Sequence, residues 1–366
     1  MSGTLPLFEK YPALSGLPHV RLGLFPTPVQ ELHGLSESDN RVFIKRDDLS
    51  GLEYGGNKVR KLEFALGEAK ANGCTDVITF GCDGSNHALA TGIYAGKLGM
   101  HSISILRTQH NTRYLRKNLL KSAFYGIELH HCETKQEMDA LTDTLVAERL
   151  AEGKKAPYIV PVGGSSPLGT VGFVNAAFEL AGQIAAGQLP EPDYIYAADG
   201  TNGTVAGLMI GLKALGLKTQ VIPVRVNDES RVNVAAISQL IDDTVALLRG
   251  YDPSFPAVHI PAEDIPLLHD FFGSDYALFT EEGVAALRRM NAMFGIQLEG
   301  TYTGKTLAAL LAAAEKTSGK TFLFWNTLNS RPSPDGLETI DYRTLPTGFH
   351  SYFETPVQPL DRGQGG

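Results

Sequence analysis

Short runs rich in Val, Ile and Phe alternate along this chain with longer stretches in which apolar residues recur every three or four positions, the pattern of strands alternating with helices. Positions 41–45 alternate as a strand. Leu62, Leu66 and Ala69 place a helix over 58–71, and the β-branched run 76–80, bounded by Gly73 and Gly81, is a buried strand. A helix over 88–98 and a strand over 102–106 complete a βαβ unit with the usual right-handed crossover. A helix over 111–122, a strand over 127–130 and a long helix over 135–151 continue the alternation. The apolar run 157–162 ends in Gly163-Gly164-Ser165-Ser166-Pro167-Leu168-Gly169 and is followed by a helix over 171–185; the crossing between two domains falls here. Strands over 193–198 and 220–226 flank a helix over 205–215, and helices over 280–294 and 306–317 with a strand over 321–325 finish the second domain. The Pro- and Gly-rich stretch 331–366 is expected to wrap the surface. The expectation is therefore an α/β protein of two α/β domains, 52–168 forming the smaller and 1–51 with 169–366 the larger.

Composition narrows the class. A chain of 366 residues that is 43% hydrophobic can bury a sizeable core. A formal net charge of -8 without a long basic run argues against nucleic acid as a partner. No apolar stretch reaches membrane-spanning length and the first residues lack the regions of a signal peptide, so the expected location is the cytoplasm. Three cysteines, Cys74, Cys82 and Cys132, with no Cys-x-x-Cys or Cys/His spacing, point to neither a disulfide framework nor a metal site.

The chemistry concentrates at turns that follow strands, where parallel sheets bind ligands. In Tyr54-Gly55-Gly56-Asn57-Lys58-Val59-Arg60-Lys61 two glycines lead into a lysine at a helix start, where crowding lowers an amine's pKa towards the neutral form that attacks an aldehyde. The plain alternative is a solvated basic helix start, yet three cations there oppose the helix dipole and need compensation. Ser85-Asn86-His87 opens another helix; Ser85 reads as an N-cap, and the amides around it suit a carboxylate. Gly200-Thr201-Asn202-Gly203-Thr204, between strand and helix, suits a monoester phosphate. It lacks the dinucleotide fingerprint, and no acidic residue follows at the spacing a nicotinamide enzyme needs. Lys305 is a second candidate lysine, ranked below Lys58 because an apolar helix starts there.

Lys45-Arg46-Asp47-Asp48-Leu49-Ser50-Gly51-Leu52 with Gly55-Gly56-Asn57-Lys58 resembles the D-cysteine desulfhydrase and 1-aminocyclopropane-1-carboxylate (ACC) deaminase family of pyridoxal-phosphate enzymes, and the resemblance runs with gaps from about Leu24 to Thr327. It implies a tryptophan-synthase β-like (fold type II) architecture, two α/β domains with pyridoxal 5'-phosphate in the cleft between them, and a homodimer. By the same resemblance Lys58 carries the cofactor, Gly200, Thr201, Asn202, Gly203 and Thr204 hold its phosphate, and Asn86 lies beside its 3-oxygen. Ser85 meets the substrate carboxylate, Tyr302 is a catalytic phenol, Thr303 faces the pyridine nitrogen, and Thr327 matches a cofactor-side threonine. Tyr276 stands at the spacing of a second active-site tyrosine and equally fits a core aromatic. Gly84 replaces a glutamine, Asn202 a small residue, and Leu328-Asn329 a pair of glycines; the first and last of these departures fall on the family's substrate side. The implied reaction is β-elimination and deamination of a small amino acid, D-cysteine giving pyruvate, ammonia and hydrogen sulfide. The alternatives are ACC deamination or elimination from cysteate, chloroalanine or serine; a carrier that binds the cofactor without turnover is a third reading. Thr303, where the deaminases have Glu, favours the desulfhydrase side.

Overall fold

The computed structural model describes residues 4–362, which divide into two compact units. The larger comprises the chain up to Phe64 together with Ser165–Ser330, and the smaller Ala65–Gly164 together with the chain from Arg331 onward. These bounds differ from the expected 52–168 and 1–51 with 169–366 at both ends, for identifiable reasons. Arg60 is bound by Asp47 and Glu179 of the larger unit. The stretch after Arg331, expected to wrap the surface, is exposed or half-buried over most of its described residues and belongs to the smaller unit. There Tyr352 donates its hydroxyl hydrogen to Asp83 at 2.6 Å and Asn111 donates to the Tyr352 carbonyl at 2.9 Å.

In the smaller unit four parallel strands, β3 (Asp76–Cys82), β4 (His101–Arg107), β5 (Glu128–Cys132) and β6 (Tyr158–Val160), lie in the order β5-β4-β3-β6. Val77, Ile78, Ile103 and Ile105 are fully buried, as sheets covered on both faces require. Asp83, at the end of β3, also accepts from His131 at the end of β5. That hydrogen bond raises the imidazole's pKa against the opposing effect of burial.

In the larger unit the strand order is β1-β2-β9-β7-β8, where β1 is Val29–Glu31, β2 Arg41–Lys45, β7 Tyr194–Asp199, β8 Gln220–Arg225 and β9 Thr321–Trp325. Only β1 runs antiparallel to its neighbour. Beside this sheet, the helices Pro167–Ala185 and Gly203–Ala214 approach closely. A Cβ on Gly207 would stand 2.5 Å from that of Phe173 and 2.6 Å from the Thr170 carbonyl, and one on Gly172 would stand 2.1 Å from the Arg60 carbonyl. Bare backbone at these crossings lets the lysine-bearing helix Lys58–Ala71 and its neighbours come together. The stretch 227–279, to which the sequence pattern assigned no element, contains the helix Val234–Tyr251. Asn233 caps it by accepting the Ala236 N–H at 2.9 Å.

A buried ionic cluster fixes the start of the lysine helix. Arg60 donates to Asp47 (2.7 and 2.8 Å), Glu179 (2.9 and 3.0 Å) and Thr27 (3.1 Å). Lys45 donates to Glu179 and Gln183, both at 2.6 Å, and Trp325 Nε1 to Asp47 at 2.7 Å. Two cations and two carboxylates balance, and all four are buried. Burial alone would raise the Glu179 pKa, but Arg60 and Lys45 outweigh it and hold the carboxyl down at about 2. Among the described residues no helix is long and apolar enough to cross a membrane, and no cluster of three or more His, Cys, Asp or Glu could hold a metal ion.

Candidate active site

Lys58 is the first residue of its helix, immediately after a turn whose backbone is clasped from behind. The Gly55 N–H donates to Asn329 Oδ1 at 2.6 Å and the Asn57 N–H to the Thr327 carbonyl at 3.2 Å. A Cβ on Gly56, whose φ is +93°, would lie 2.8 Å from that carbonyl oxygen, so only glycine permits the contact. Asn329, which stands where the resembling family has glycine, is thus a brace for the lysine turn. Leu328 beside it is buried.

The Lys58 side chain keeps part of its surface accessible but is enclosed by protein. Burial pushes its pKa down to about 8, with Asp199 opposing. Lys61, one helical turn on, is 1% exposed, so the reading of a solvated basic helix start fails for it. Burial and then the Lys58 charge lower its pKa, against the pull of Asp199. Its ammonium donates to Ser165 Oγ at 2.9 Å, and that hydroxyl donates to Thr201 Oγ1 at 2.9 Å. Two of the three cations at this helix start are therefore compensated individually, Arg60 by two carboxylates and Lys61 by a hydroxyl chain, and Asp199 is in electrostatic range of both Lys58 and Lys61.

The loop Gly200-Thr201-Asn202-Gly203-Thr204 leaves the carboxyl end of β7 and turns into the helix Gly203–Ala214, whose first amides have no intrahelical partner. The helix begins two residues earlier than its apolar pattern predicts, which puts Gly203 and Thr204 in the first turn. Asn202 has φ +68°, a region that asparagine tolerates better than most side chains, which accounts for its standing at a position of small residues. Asn57 Nδ2 donates to Thr204 Oγ1 at 3.0 Å. A Cβ on Gly203 would lie 2.8 Å from Ser165 Oγ and 2.9 Å from Lys61 Nζ. Helix-start amides, hydroxyls and one ammonium thus lie about Gly203, where any Cβ would crowd Ser165 Oγ and Lys61 Nζ, and this donor set fits a phosphate monoester.

Tyr302 borders the same loop: a Cβ on Gly200 would stand 3.4 Å from its ring. Its hydroxyl is hydrogen-bonded to that of Tyr276, with the rings 6.2 Å apart and edge-on, so Tyr276 is paired with the second phenol and is not an isolated core aromatic. Thr303 is buried at the start of the helix Thr303–Ala314. Its Oγ1 accepts the Glu299 N–H at 2.9 Å, while the protein acceptors for its own hydrogen, the Glu299 carbonyl and carboxylate, are each 3.3 Å away. The Glu299 carboxylate also accepts the N–H groups of Thr301, Tyr302 and Thr303, fixing the turn. Lys305 points elsewhere, donating to the Phe272 carbonyl, with its Nζ 5.3 Å from that residue's ring centre.

Within the larger unit the structure therefore gathers Lys58, the loop 200–204, Tyr302 and Tyr276, with the Thr327 backbone behind the lysine turn. Ser85 and Asn86 belong to the smaller unit. Ser85 caps the helix Asn86–Lys97 by accepting the Ala88 N–H at 3.1 Å, and Asn118 donates to Asn86 Oδ1 at 3.0 Å. The Gly84 N–H, at a departure from the family pattern, donates to Gln109 at 3.1 Å. Sequence reasoning missed Lys61, Ser165, Asn57 and Asp199 as site residues. The last was signalled only by its position at a strand end.

The chain matches the family described as pyridoxal-phosphate dependent enzyme over residues 20–327. It is 36% identical over 318 residues to a provisionally named 1-aminocyclopropane-1-carboxylate deaminase of Pyrococcus horikoshii, covering 86% of this chain and 92% of that one. To a D-cysteine desulfhydrase of Salmonella paratyphi A it is 34% identical over 306 residues, 81% and 89% of the two chains. A crystal structure of an ACC deaminase homologue superposes with a TM-score of 0.75 at 34% identity, covering 89% of this chain and 95% of that one.

Proposed function

Since this chain belongs to the pyridoxal-phosphate dependent enzymes, we propose that it removes a β-substituent and the amino group from a small amino acid, and that with D-cysteine and water it forms pyruvate, ammonia and hydrogen sulfide. The observation that carries the reading is one partly accessible lysine, its pKa lowered to about 8, beside a glycine loop lined by hydroxyls and a buried ammonium.

Lys58 would hold the cofactor covalently. The amides and hydroxyls of residues 200–204, with Lys61 and Asn57, would hold its phosphate. When bound, the cofactor is an electron sink for charge left on the substrate's α-carbon. Lys58, whose amine has a neutral fraction near pH 8, would also take the α-proton. Tyr302, hydrogen-bonded to Tyr276, can pass a proton at its phenolic oxygen. The helix start at Ser85 and Asn86 has the chemistry of a carboxylate site. Lys305 is committed to the Phe272 carbonyl, which supports Lys58 as the covalent residue. The Thr303 hydroxyl hydrogen has only long protein acceptors, so it is available to a closer one, such as a pyridine nitrogen. A neutral donor there, in place of an acid, supports elimination from D-cysteine over ACC deamination.

The test is release of 2-oxo acid from a panel of D- and L-β-substituted alanines with ACC included. D-cysteine is expected to lead; ACC turning over faster than every alanine derivative refutes the reading. Gly203→Leu is expected to weaken pyridoxal-phosphate binding by about tenfold or more, through loss of charge-assisted hydrogen bonds, while circular dichroism stays unchanged. Unaltered affinity would count against the loop as the phosphate site.

A further inference from the structure

Asp199 lies at the last position of β7 and is 1% exposed. Its Oδ1 accepts the Asn202 N–H at 2.7 Å and the Thr201 N–H also favours its charge, while Oδ2 is buried with no hydrogen-bond partner. A turn-capping role accounts for Oδ1 alone, and an asparagine would serve it equally without placing a charge in the interior. The partnerless Oδ2 is what that role leaves unexplained.

We propose that Asp199 is an anion the loop carries for itself, and that binding of a phosphate monoester is accompanied by uptake of one proton on Asp199 Oδ2. The inference rests on the reading of residues 200–204 as the phosphate site. Without a ligand, the carboxylate occupies loop amides that suit an anion and offsets Lys58 and Lys61, both within electrostatic range. A phosphate dianion would add a second anion to the same enclosed loop. A proton from solvent on Oδ2 cancels the carboxylate's charge and turns an unpaired acceptor into a donor for a phosphate oxygen, with no bond broken in the protein.

The groups facing Asp199 agree with this. Lys58 and Lys61 come from the lysine helix and Tyr302 borders the loop at Gly200. Arg225 lies opposite in β8, but its guanidinium sits 4.5 Å from the Phe272 ring centre and donates to the Asn227 carbonyl at 3.0 Å. Arg231 contributes its carbonyl to Asn202 Nδ2. Burial, the largest influence, raises the Asp199 pKa to about 6 against the loop amides and the two lysines, so little energy is needed to protonate it near neutral pH.

The experiment titrates pyridoxine 5'-phosphate, which has the phosphate but no aldehyde, into the full-length chain freed of cofactor. The parent, Asp199→Asn and Asp199→Ser are compared calorimetrically from pH 6 to 8.5 in two buffers of different ionisation enthalpy. The analogue's own phosphate titration is common to all three and cancels. At pH 8 the parent is expected to take up about one proton more per bound analogue than Asp199→Asn. Its affinity, relative to that variant, should fall on the order of tenfold per pH unit above 7, leaving Asp199→Asn at least about tenfold tighter at pH 8. Equal proton counts and parallel pH profiles in parent and variants overturn this inference alone. An analogue that binds the parent at no pH overturns the phosphate-loop reading and the inference with it. Should Asp199→Asn fail to fold, the proton count of the parent against Asp199→Ser decides.

Discussion

Lys58→Ala is expected to lower 2-oxo acid release by about a thousandfold or more, because in the proposed reaction one nitrogen would both anchor the cofactor and move the α-proton. The same change should not weaken the fold. Burial depresses the Lys58 pKa from 10.5 to about 8, so between these values the unfolded chain binds more protons than the folded one. Stability therefore rises with pH across that window, and the cost of enclosing the ammonium is present in full below about pH 8. Removing the amine relieves that cost, so Lys58→Ala is expected to melt no lower than the cofactor-free parent at pH 7, with any advantage shrinking towards pH 10.5. Kinetic assays paired with thermal melts at pH 7 and 10 check both halves. Borohydride reduction and peptide mapping of the parent should give a phosphopyridoxyl label on Lys58; a label on Lys305, or an alanine variant that keeps a tenth of the activity, sinks the assignment.

The largest loss of stability is expected from Arg60→Met. The methionine approximates the arginine's length but leaves Asp47 without its cation and Glu179 with Lys45 alone, at a cost of roughly 3–5 kcal/mol. Glu179 sets the pH window. Its folded pKa is depressed from 4.5 to about 2, so the stability it contributes is complete above about 4.5 and is lost as pH falls towards 2. The gap between parent and variant should be widest at pH 6–8 and narrow below pH 4. Trp325 reports on the change directly, since it is the only tryptophan in the chain and its indole N–H donates to Asp47. Urea unfolding followed by tryptophan fluorescence at pH 7 and pH 3.5 is the measurement. A midpoint unmoved at pH 7 would mean the cluster tolerates an unpaired carboxylate.

What the sequence disclosed follows the range of the forces involved. Strands such as 76–80 and 321–325 were legible because parallel strands covered on both faces read as unbroken apolar runs. β1 escaped because its three residues, two half-buried and one exposed, leave no such run. The helix Val234–Tyr251 did carry a signal, since its buried Ile237, Ile241, Val245 and Leu248 recur at helical spacing. The turn before Lys58 was readable from its glycines. What clasps that turn was not, because Thr327 and Asn329 arrive from the other end of the larger unit's sequence. Lys61 looked like a surface charge for the same reason: its partner Ser165 lies 104 positions away. Asp199 needs three dimensions to be noticed at all, since only there does one oxygen of its carboxylate prove to be without a partner.

The return of the stretch after Arg331 to the smaller unit has a consequence for synthesis on the ribosome. Residues 65–164 leave the exit tunnel early, yet Asp83, Gln109 and Asn111 must wait for Tyr352 while residues 165–330 are still being translated. The smaller unit, begun only after residues 1–64, is finished last. During that interval the nascent smaller unit carries Asp83 at a strand end without the phenol that closes over it, exposed to whatever chaperones attend the emerging chain.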